Sequence, residues 1–149
     1  MVIHLGTDHA GYWLKEDIKK FLIDRNFEVK DHGAHSYREE DDYPDYIHSV
    51  AKVISEKHET DKAIILGGSG QGEAMVCNRY QGVRAAVYYG GQLKIIKLSR
   101  EHNDANVLAL GARSLSKKEA LAVVELWLKT KFDSKEKRHM RRIKKIEKC

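Results

Sequence analysis

The feature that most constrains the fold is an alternation of short β-rich runs with longer stretches of helical period. Strands are predicted at VIHLGT, FEVKDHG, AIILGG, VRAAVYY and VLALGA. The stretch after the first run has Leu14, Ile18, Phe21 and Leu22 at helical spacing. Consecutive strands joined by helices need crossover connections, which favours a parallel sheet. The pattern therefore predicts an α/β fold, an open sandwich of about five parallel strands with helices on both faces.

The predicted helices cover YWLKEDIKKFLIDRN, YPDYIHSVAKVISEKH, GEAMVCNRY, QLKIIKLSREHN, SKKEALAVVELWLKTKF and KEKRHMRRIKKIEK. Two of them have marked starts, because Pro44 stands in the first turn of the second and Ser116 is positioned to cap the fifth. No repeat, low-complexity tract or linker interrupts the pattern. Residues 1–149 are therefore expected to form one domain.

The composition is that of a globular protein, with 42% hydrophobic and 33% charged residues. No apolar run approaches the ~18 residues that a membrane span needs, and the first residues lack the pattern of a signal peptide. A cytoplasmic protein is expected. The two cysteines, Cys77 and Cys149, form neither a disulfide framework nor a paired metal knuckle.

The positive charge is concentrated at the C-terminal end. Residues 135–149 contain eight Lys and Arg against two acids, a net +6, whereas the rest of the chain carries a net −1. On the last predicted helix, Arg138, Arg142 and Lys145 share one face. Arginine binds phosphate bidentately, so phosphate capture is favoured. The alternatives are a solvated surface helix and nucleic-acid binding, although this segment has no aromatic residue for base stacking.

Ligands of open parallel sheets bind at the carboxyl ends of the strands, so the loops after VIHLGT, AIILGG and VLALGA are the places to search. The first loop contains Asp8 and His9 directly before a helix. Such a pair is a candidate for acid/base chemistry or substrate orientation. The alternative is that Asp8 only caps the helix and His9 is merely exposed.

The second loop is a glycine-rich turn, GGSGQGE, between a strand and a helix. Glycines let the backbone direct successive N–H groups at one point, which creates a site for an anion or an oxyanion. The turn is not a P-loop, because no Lys-Ser or Lys-Thr follows the last glycine. Nor does it fit a dinucleotide fingerprint, since the glycine spacing is wrong and the next strand ends without an acidic residue. What remains is one hydroxyl, Ser69, and one carboxylate, Glu73.

A carboxylate beside an oxyanion site is what proton abstraction next to a carbonyl requires. Glu73 therefore predicts isomerase chemistry. The alternative is that Glu73 only occupies the first turn of a helix, where the dipole favours a negative charge and lowers the carboxylate pKa. A working base at this position needs burial to raise that pKa again.

The third region, SREHNDANVLALGAR, contains His102 and Asn103 before the fifth strand and Arg113 after it. Taken alone, these polar residues are also compatible with ordinary loop chemistry. A metal site is not expected. The group Asp31, His32 and His35 lacks the His-Glu-x-x-His pattern and the paired Cys/His spacing of such sites.

Together, these motifs resemble the type B ribose-5-phosphate isomerases, the family that also includes the galactose-6-phosphate and allose-6-phosphate isomerases. The resemblance runs end to end and rests on LGTDHAGYWLK, DDYPDY, LGGSGQGEAMVCNRYQGVRAA, LSREHNDANVLALGAR and RHMRRI. It implies a Rossmann-like three-layer sandwich with a C-terminal helix that reaches the partner subunit. It also implies a homodimer or dimer of dimers with shared active sites, no metal and no organic cofactor.

The resemblance further implies roles for matching positions. Those expected to hold the phosphate, some from the partner subunit, are His9, Arg113, Arg138 and Arg142. Asp8 and His102 are expected to assist ring opening, and Tyr43 to line the site. The developing oxyanion is expected to be held, with Ser69, by Asn103 and by the backbone of Gly68, Gly70 and Gly72.

Many members of this family carry a catalytic cysteine at the position of Gly67 and an apolar residue at that of Glu73. This chain has the reverse, so it resembles a second branch in which the glutamate is the base, and Cys77 is not expected to act. The predicted reaction interconverts ribose 5-phosphate and ribulose 5-phosphate in the pentose phosphate pathway. It proceeds through ring opening, proton removal from C2 by Glu73, a cis-enediolate and proton return to C1.

Three alternatives stay open. A six-carbon phosphosugar isomerase, acting on allose 6-phosphate or galactose 6-phosphate, needs a longer gap between the arginines and Glu73, and sequence does not give that distance. A basic nucleic-acid-binding module is favoured only by the C-terminal charge. A nucleotide-binding regulatory domain is weakened by the glycine spacing.

Overall fold

The computed structural model describes residues 1–148 and contains a five-stranded sheet in which every pair of neighbouring strands is parallel. The strands are β1 (Val2–Thr7), β2 (Glu28–Asp31), β3 (Lys62–Gly67), β4 (Ala85–Tyr88) and β5 (Val107–Gly111). The helices are α1 (Tyr12–Ile23), α2 (Tyr43–Glu56), α3 (Gln71–Cys77), α4 (Leu93–Asn103), α5 (Lys117–Lys129) and α6 (Lys137–Ile146). Cys149 lies outside the described residues.

Helices cover both faces of the sheet. On one face the strands pack against α1, α4 and α5, where Ile18, Ile96 and Trp127 are fully buried. On the other face they pack against α2 and α3, through Ile47 and Ala74 among others. The predicted Rossmann-like three-layer sandwich is therefore confirmed. Every predicted helix and strand is present.

The strand order is β2-β1-β3-β5-β4. The central strand β3 is buried along almost its whole length, as its continuous apolar run predicts, while the edge strand β2 alternates exposed and half-buried residues. From β1 the chain moves outward to β2 and then crosses back to β3 on the other side of β1. The chain leaves β1 toward one edge of the sheet and leaves β3 toward the other edge. A crevice opens at such a switch point between two strands.

Several elements end earlier than the sequence predicts, and for two of them the local cause is clear. Helix α1 stops at Ile23 rather than at Asn26, because Asn26 adopts a left-handed conformation with φ of 62°. Strand β2 stops at Asp31 rather than at Gly33, because the Asp31 side chain accepts a hydrogen bond from the Gly33 N–H at 2.9 Å and turns the chain. The predicted cap is present: the Ser116 hydroxyl accepts from the Glu119 N–H.

A buried ion pair supports the end of β1. The Lys15 side chain is fully buried and donates to the Asp31 carboxylate at 2.7 Å and to the Ala34 carbonyl at 2.8 Å. Burial alone raises the pKa of Asp31, but hydrogen bonds from Lys15, Lys19 and the Gly33 N–H outweigh it and lower the pKa to about 2. The segment held in this way pairs with β1, since the Ala34 N–H donates to the Thr7 carbonyl.

Helix α6 packs on the outside of α4. Its buried residue His139 stacks on His102 of α4, with ring centroids 4.3 Å apart and an angle of 15° between the planes. Beyond its end, Glu147 accepts a hydrogen bond from Arg84 at 2.8 Å. None of the helices in residues 1–148 combines the length and apolarity that a membrane crossing requires.

Candidate active site

A crevice of about 490 Å³ lies at the carboxyl ends of β1 and β3. Its lining comes from the loop after β1, the glycine-rich loop after β3, the loop after β5 and the start of α2. The lining residues are Asp8, His9, Ala10, Tyr43, Gly68, Ser69, Gly72, Glu73 and Arg113. The three loops identified from the sequence therefore meet at one site.

Asp8 both caps a turn and lines the crevice, so the two alternatives drawn from the sequence are not exclusive. Its Oδ1 accepts a hydrogen bond at 2.9 Å from the N–H of Ala10, within a 3₁₀ turn over His9–Gly11. Its second carboxyl oxygen is not needed for that cap. Burial raises the pKa of Asp8, and the negative charge of Asp41 raises it further. A carboxyl group with a raised pKa is suited to exchange a proton with a bound ligand.

Glu73 is buried, with 4% of its surface exposed, although it stands in the first turn of α3. Burial raises the pKa of Glu73, and the nearby charge of Asp8 acts in the same direction. The requirement set by the sequence argument, burial that offsets the helix dipole, is therefore present in the fold. A desolvated carboxylate with a raised pKa is a stronger base than an exposed one.

The absence of a side chain at Gly67 creates the space for this carboxylate. A Cβ built on Gly67 would overlap both carboxyl oxygens of Glu73. The glutamate side chain therefore lies directly against the backbone at the end of β3. A strand end and a helix start share one small volume here, and Gly67 is the residue that permits it.

Two other glycines of the loop allow close approach of side chains. A Cβ on Gly72 would lie 2.6 Å from the Tyr43 hydroxyl, and one on Gly68 would lie 3.3 Å from Arg113 Nη1. Gly70 has a φ of 77°, a left-handed conformation that glycine adopts without strain, and it precedes the first residue of α3. The loop thereby brings an aromatic hydroxyl and a guanidinium group to the same opening.

The position of Arg113 is fixed by the backbone. The N–H groups of Ala112 and Arg113 donate to the carbonyls of Gly67 and Gly68, at 2.8 and 3.2 Å. The loop after β5 is thus bonded to the glycine-rich loop after β3. Ser69 is exposed at this opening, and its hydroxyl accepts a hydrogen bond from the Gln71 N–H.

His9 is held in place by Asp41, which lies in the loop between β2 and α2. The Asp41 Oδ1 atom accepts two hydrogen bonds from it, one from the backbone N–H at 2.9 Å and one from Nδ1 at 2.8 Å. The hydrogen bond to Asp41 raises the pKa of His9. The crevice therefore presents the His9 imidazole, whose pKa is raised, and the Arg113 guanidinium beside two carboxyl groups.

Asp8, His9 and Asp41 each offer a ligand atom within 4.8 Å of the others, a spacing that a cation could bridge. His9 Nδ1 and Asp41 Oδ1 are bonded directly to each other, so a cation would have to displace that bond. Of the residues considered for a metal from the sequence, Asp31 is bound by two lysines. That no metal is needed stays a prediction.

Four of the predicted site residues lie elsewhere. His102 and Asn103 form the last turn of α4, and Arg138 and Arg142 are exposed on α6. Within residues 1–148, the lining of the crevice includes none of these four. The chain therefore brings together one half of the predicted site and carries the other half on a separate surface.

Sequence reasoning missed Asp41. The available signal was the acidic string REEDDYPD, which ends at the start of α2 close to Tyr43. The string was informative as a motif, but it did not reveal which of its acids contacts His9.

A larger cavity of about 570 Å³ lies among Ser55, His58, Arg84, Asp104 and Glu147. Its arginine is already engaged, because Arg84 donates to Glu147 at 2.8 Å and to Asp104 at 3.3 Å. An anion entering this cavity would meet a neutralised guanidinium group. The crevice is the stronger candidate for an active site.

The fold and the crevice define an α/β protein with acid/base groups at the switch point of its sheet. Residues 3–146 match the model of a family described as Ribose/Galactose Isomerase. The chain belongs to this family, and the resemblance seen in the sequence motifs is confirmed.

Curated relatives match over nearly their whole length. The chain is 39% identical to ribose-5-phosphate isomerase B of Mycobacterium tuberculosis, over 96% of this chain and 86% of that protein. It is 37% identical to ribose-5-phosphate isomerase B of Escherichia coli, over 97% of this chain and 93% of that protein.

Among solved structures, ribose-5-phosphate isomerase B of Mycoplasma genitalium with bound ribulose-5-phosphate superposes with a TM-score of 0.93. It is 35% identical, and the match covers 99% of this chain and 94% of that one. Ribose-5-phosphate isomerase B of Clostridium thermocellum has a TM-score of 0.91 and 42% identity, over 99% and 96% of the two chains.

Proposed function

We propose that this protein is an aldose–ketose isomerase that interconverts ribose 5-phosphate and ribulose 5-phosphate. The observation that carries the proposal is the buried carboxylate of Glu73, with its raised pKa, in a crevice at the switch point of the sheet. The names of the curated relatives and the ribulose-5-phosphate bound to the Mycoplasma genitalium relative support the choice of substrate. A cytoplasmic enzyme of sugar-phosphate metabolism is part of the same proposal.

The reaction begins with opening of the furanose ring. In the proposal, Asp8 and His102 move the proton between the ring oxygen and the C1 hydroxyl. The raised pKa of Asp8 favours this role, because its carboxyl group holds a proton more readily than an exposed one. The product is the open-chain aldehyde, whose C2 proton is acidified by the neighbouring carbonyl.

Glu73 then removes the proton from C2 and returns it to C1, while the proton of the C2 hydroxyl passes to the oxygen on C1. The intermediate is a cis-enediolate, whose negative oxygen needs donors placed before the charge develops. In the proposal these donors are the backbone from Gly68 to Gly72 with Ser69 and Asn103. One carboxylate suffices for both transfers, because C1 and C2 of the planar cis-enediolate present the same face to it.

The phosphate binds at the other end of the substrate. We assign it to His9 and Arg113 from the crevice and to Arg138 and Arg142 from α6. Guanidinium groups bind phosphate through paired hydrogen bonds, and each such charged bond contributes about 1.5–3 kcal/mol. Gripping the phosphate fixes the reacting carbons relative to Glu73.

The proposal includes a homodimer or a dimer of dimers. His102, Asn103, Arg138 and Arg142 do not line the crevice of their own chain, so a second copy is the natural source of these groups. In a two-fold dimer each subunit then completes the crevice of the other. Nucleic acid has no part in this arrangement.

The test offers purified protein ribose 5-phosphate, allose 6-phosphate and galactose 6-phosphate separately and measures ketose formation for each. We expect the highest kcat/KM with ribose 5-phosphate. Glu73→Gln is expected to bind substrate but to turn over at least ~10²-fold more slowly, because the amide cannot accept the proton.

The matched control is Glu125→Gln, which makes the same change on α5, where Glu125 forms an ion pair with Lys129. This variant should keep wild-type turnover. A preference for a six-carbon substrate would overturn the substrate assignment, and near-normal turnover in Glu73→Gln would overturn the role of the base.

A further inference from the structure

Asp41 lies in the loop between β2 and α2 and contacts His9, a residue that lines the crevice. A single oxygen, Oδ1, accepts both the backbone N–H of His9 and its ring Nδ1. The Asp41 side chain is 7% exposed and the His9 side chain 22% exposed. The contact is therefore a shielded pair, in which only the histidine opens onto the crevice.

A carboxylate bound to one ring nitrogen determines what the other nitrogen can do. The bond to Asp41 requires the proton on Nδ1, which leaves Nε2 as the ring nitrogen available to a ligand. The second bond, from the backbone N–H of His9, anchors the Asp41 carboxylate, so that its bond to Nδ1 restrains the ring. An oriented imidazole is thus presented to the crevice with a defined tautomer, as in other carboxylate–histidine pairs.

The charges around His9 come from several elements. Asp8 precedes it, Asp41 faces it from the loop before α2, and Arg113 faces it from the loop after β5. The hydrogen bond to Asp41 raises the pKa of His9 most; burial and the positive charge of Arg113 oppose this.

Aromatic groups complete the surroundings of the pair. The Tyr37 ring meets the imidazole edge to face at 6.4 Å. Behind Asp41 stands Tyr46, whose pKa is raised by burial and then by the Asp41 carboxylate. Burial raises the pKa of Asp41 itself, but the hydrogen bonds from His9 outweigh that effect and lower it. Asp41 therefore remains ionised wherever His9 is protonated near neutral pH.

We propose that Asp41 is a positioning residue that keeps His9 charged and directs its Nε2–H at the phosphate group of the substrate. This inference rests on the proposed function for the identity of the ligand. It assigns Asp41 no contact with the substrate. Its negative charge allows His9 and Arg113 to be positively charged next to each other in the substrate-free site.

The consequence is a dependence of KM on pH. Because the pKa of His9 is raised above 6.5, its positive charge is complete below that value and is lost as the pH rises through the raised pKa. Asp41→Asn removes the negative charge and lets the pKa fall. KM of the variant should therefore rise at a lower pH than KM of the wild type.

The experiment measures kcat and KM for ribose 5-phosphate from pH 5.5 to 9, in wild type, Asp41→Asn and Asp42→Asn. We expect Asp41→Asn to raise KM by up to about tenfold for each unit by which the His9 pKa falls, with kcat changed less. The two KM curves should converge at both ends of the range, where His9 has the same charge in both enzymes. Asp42→Asn, the same change on the exposed neighbour, should follow the wild type.

A second measurement does not depend on turnover. Nitrogen-15 NMR of the histidine rings gives the tautomer and the titration midpoint of His9 in the substrate-free enzyme. We expect the proton on Nδ1, a midpoint above 6.5 in the wild type and a lower midpoint in Asp41→Asn. The wild-type measurement alone decides the matter if the variant does not fold.

A wild-type midpoint at or below the ordinary value would overturn the inference. The inference would also be overturned if Asp41→Asn raised KM equally at every pH. A rise that does not depend on pH indicates a displaced loop and not a lost charge on His9. If no sugar phosphate is isomerised, the proposed function fails, while the NMR result still reports on the pair.

Discussion

The crevice and the α4–α6 surface, which carries His102, Asn103, Arg138 and Arg142, hold the two halves of the predicted site in different ways. In the crevice Glu73 and Asp8 are buried, and burial raises the pKa of both. On α6 the arginines are exposed and extend into solvent. Burial therefore raises the pKa of the crevice carboxyl groups, whereas exposure leaves the arginines accessible to another molecule.

This difference suggests a physical reason for dividing such a site between two chains. A proton-transfer group needs a low-dielectric pocket that the fold itself must build, so it belongs to the core of one chain. A phosphate-binding arginine keeps its charge anywhere and only needs reach. The predictions below test whether the two halves really differ in this way.

The largest effect is expected from Gly67→Ala. The added methyl group would overlap the Glu73 carboxylate, which must then leave its position at the end of β3. We expect kcat to fall at least ~10²-fold, because the base no longer faces C2. Steady-state kinetics with ribose 5-phosphate provides the measurement, and circular dichroism checks the fold.

Gly68→Ala is the matched control for this variant. The three atoms nearest to a methyl group there all belong to the flexible Arg113 side chain, at 3.3–3.5 Å. Its effect should therefore be smaller and fall mainly on KM. Equal losses in the two variants would mean that the glycines serve the loop as a whole and not the carboxylate.

An intermediate effect is expected from Arg142→Ala. Removing one charge-assisted contact to phosphate costs about 1.5–3 kcal/mol, which corresponds to a rise in KM of roughly tenfold to a hundredfold. The control is Arg141→Ala, on another face of α6, where Arg141 lies beside Lys137 and Lys144. Unchanged KM in Arg142→Ala, or the same rise in both variants, would contradict a phosphate contact by this face.

The smallest effect is expected from mixing two impaired chains, one with a low kcat and one with a high KM. Glu73→Gln and Arg142→Ala, unfolded together and refolded, should regain about a quarter of the wild-type kcat/KM at low substrate concentration. Half of the random dimers contain both chains, and each of these has one site without either change. Each variant refolded alone serves as the control. If mixing restores nothing, the two residues do not meet across a subunit boundary.

Much of the fold follows from the sequence. The alternation of strands and helices predicted the parallel sheet, and Ser116 correctly marked the start of α5. The glycine-rich turn and the Asp8-His9 pair were correctly assigned to strand ends, which is why they meet in the crevice. These inferences succeed because backbone geometry is local: a strand, a turn and a cap are each determined by a few neighbouring residues.

The rest depends on contacts between distant segments. Asp41 and His9 are 32 positions apart, and nothing in REEDDYPD distinguishes the acid that bonds to the imidazole. The sequence stated that Glu73 would need burial, but whether α3 supplies it depends on how the helix packs on β3 and β5. The distance from α6 to a crevice is not a property of one segment, so no periodicity encodes it.

The shared space between Gly67 and Glu73 also restricts how this protein can evolve. The volume at the end of β3 holds one functional side chain, whether it grows from the strand or from the helix. A lineage that moved its proton acceptor from one element to the other by single replacements would pass through a form with two side chains in that volume or with none. In the proposed mechanism, overlap displaces the base and vacancy removes it, so selection for activity would oppose either intermediate.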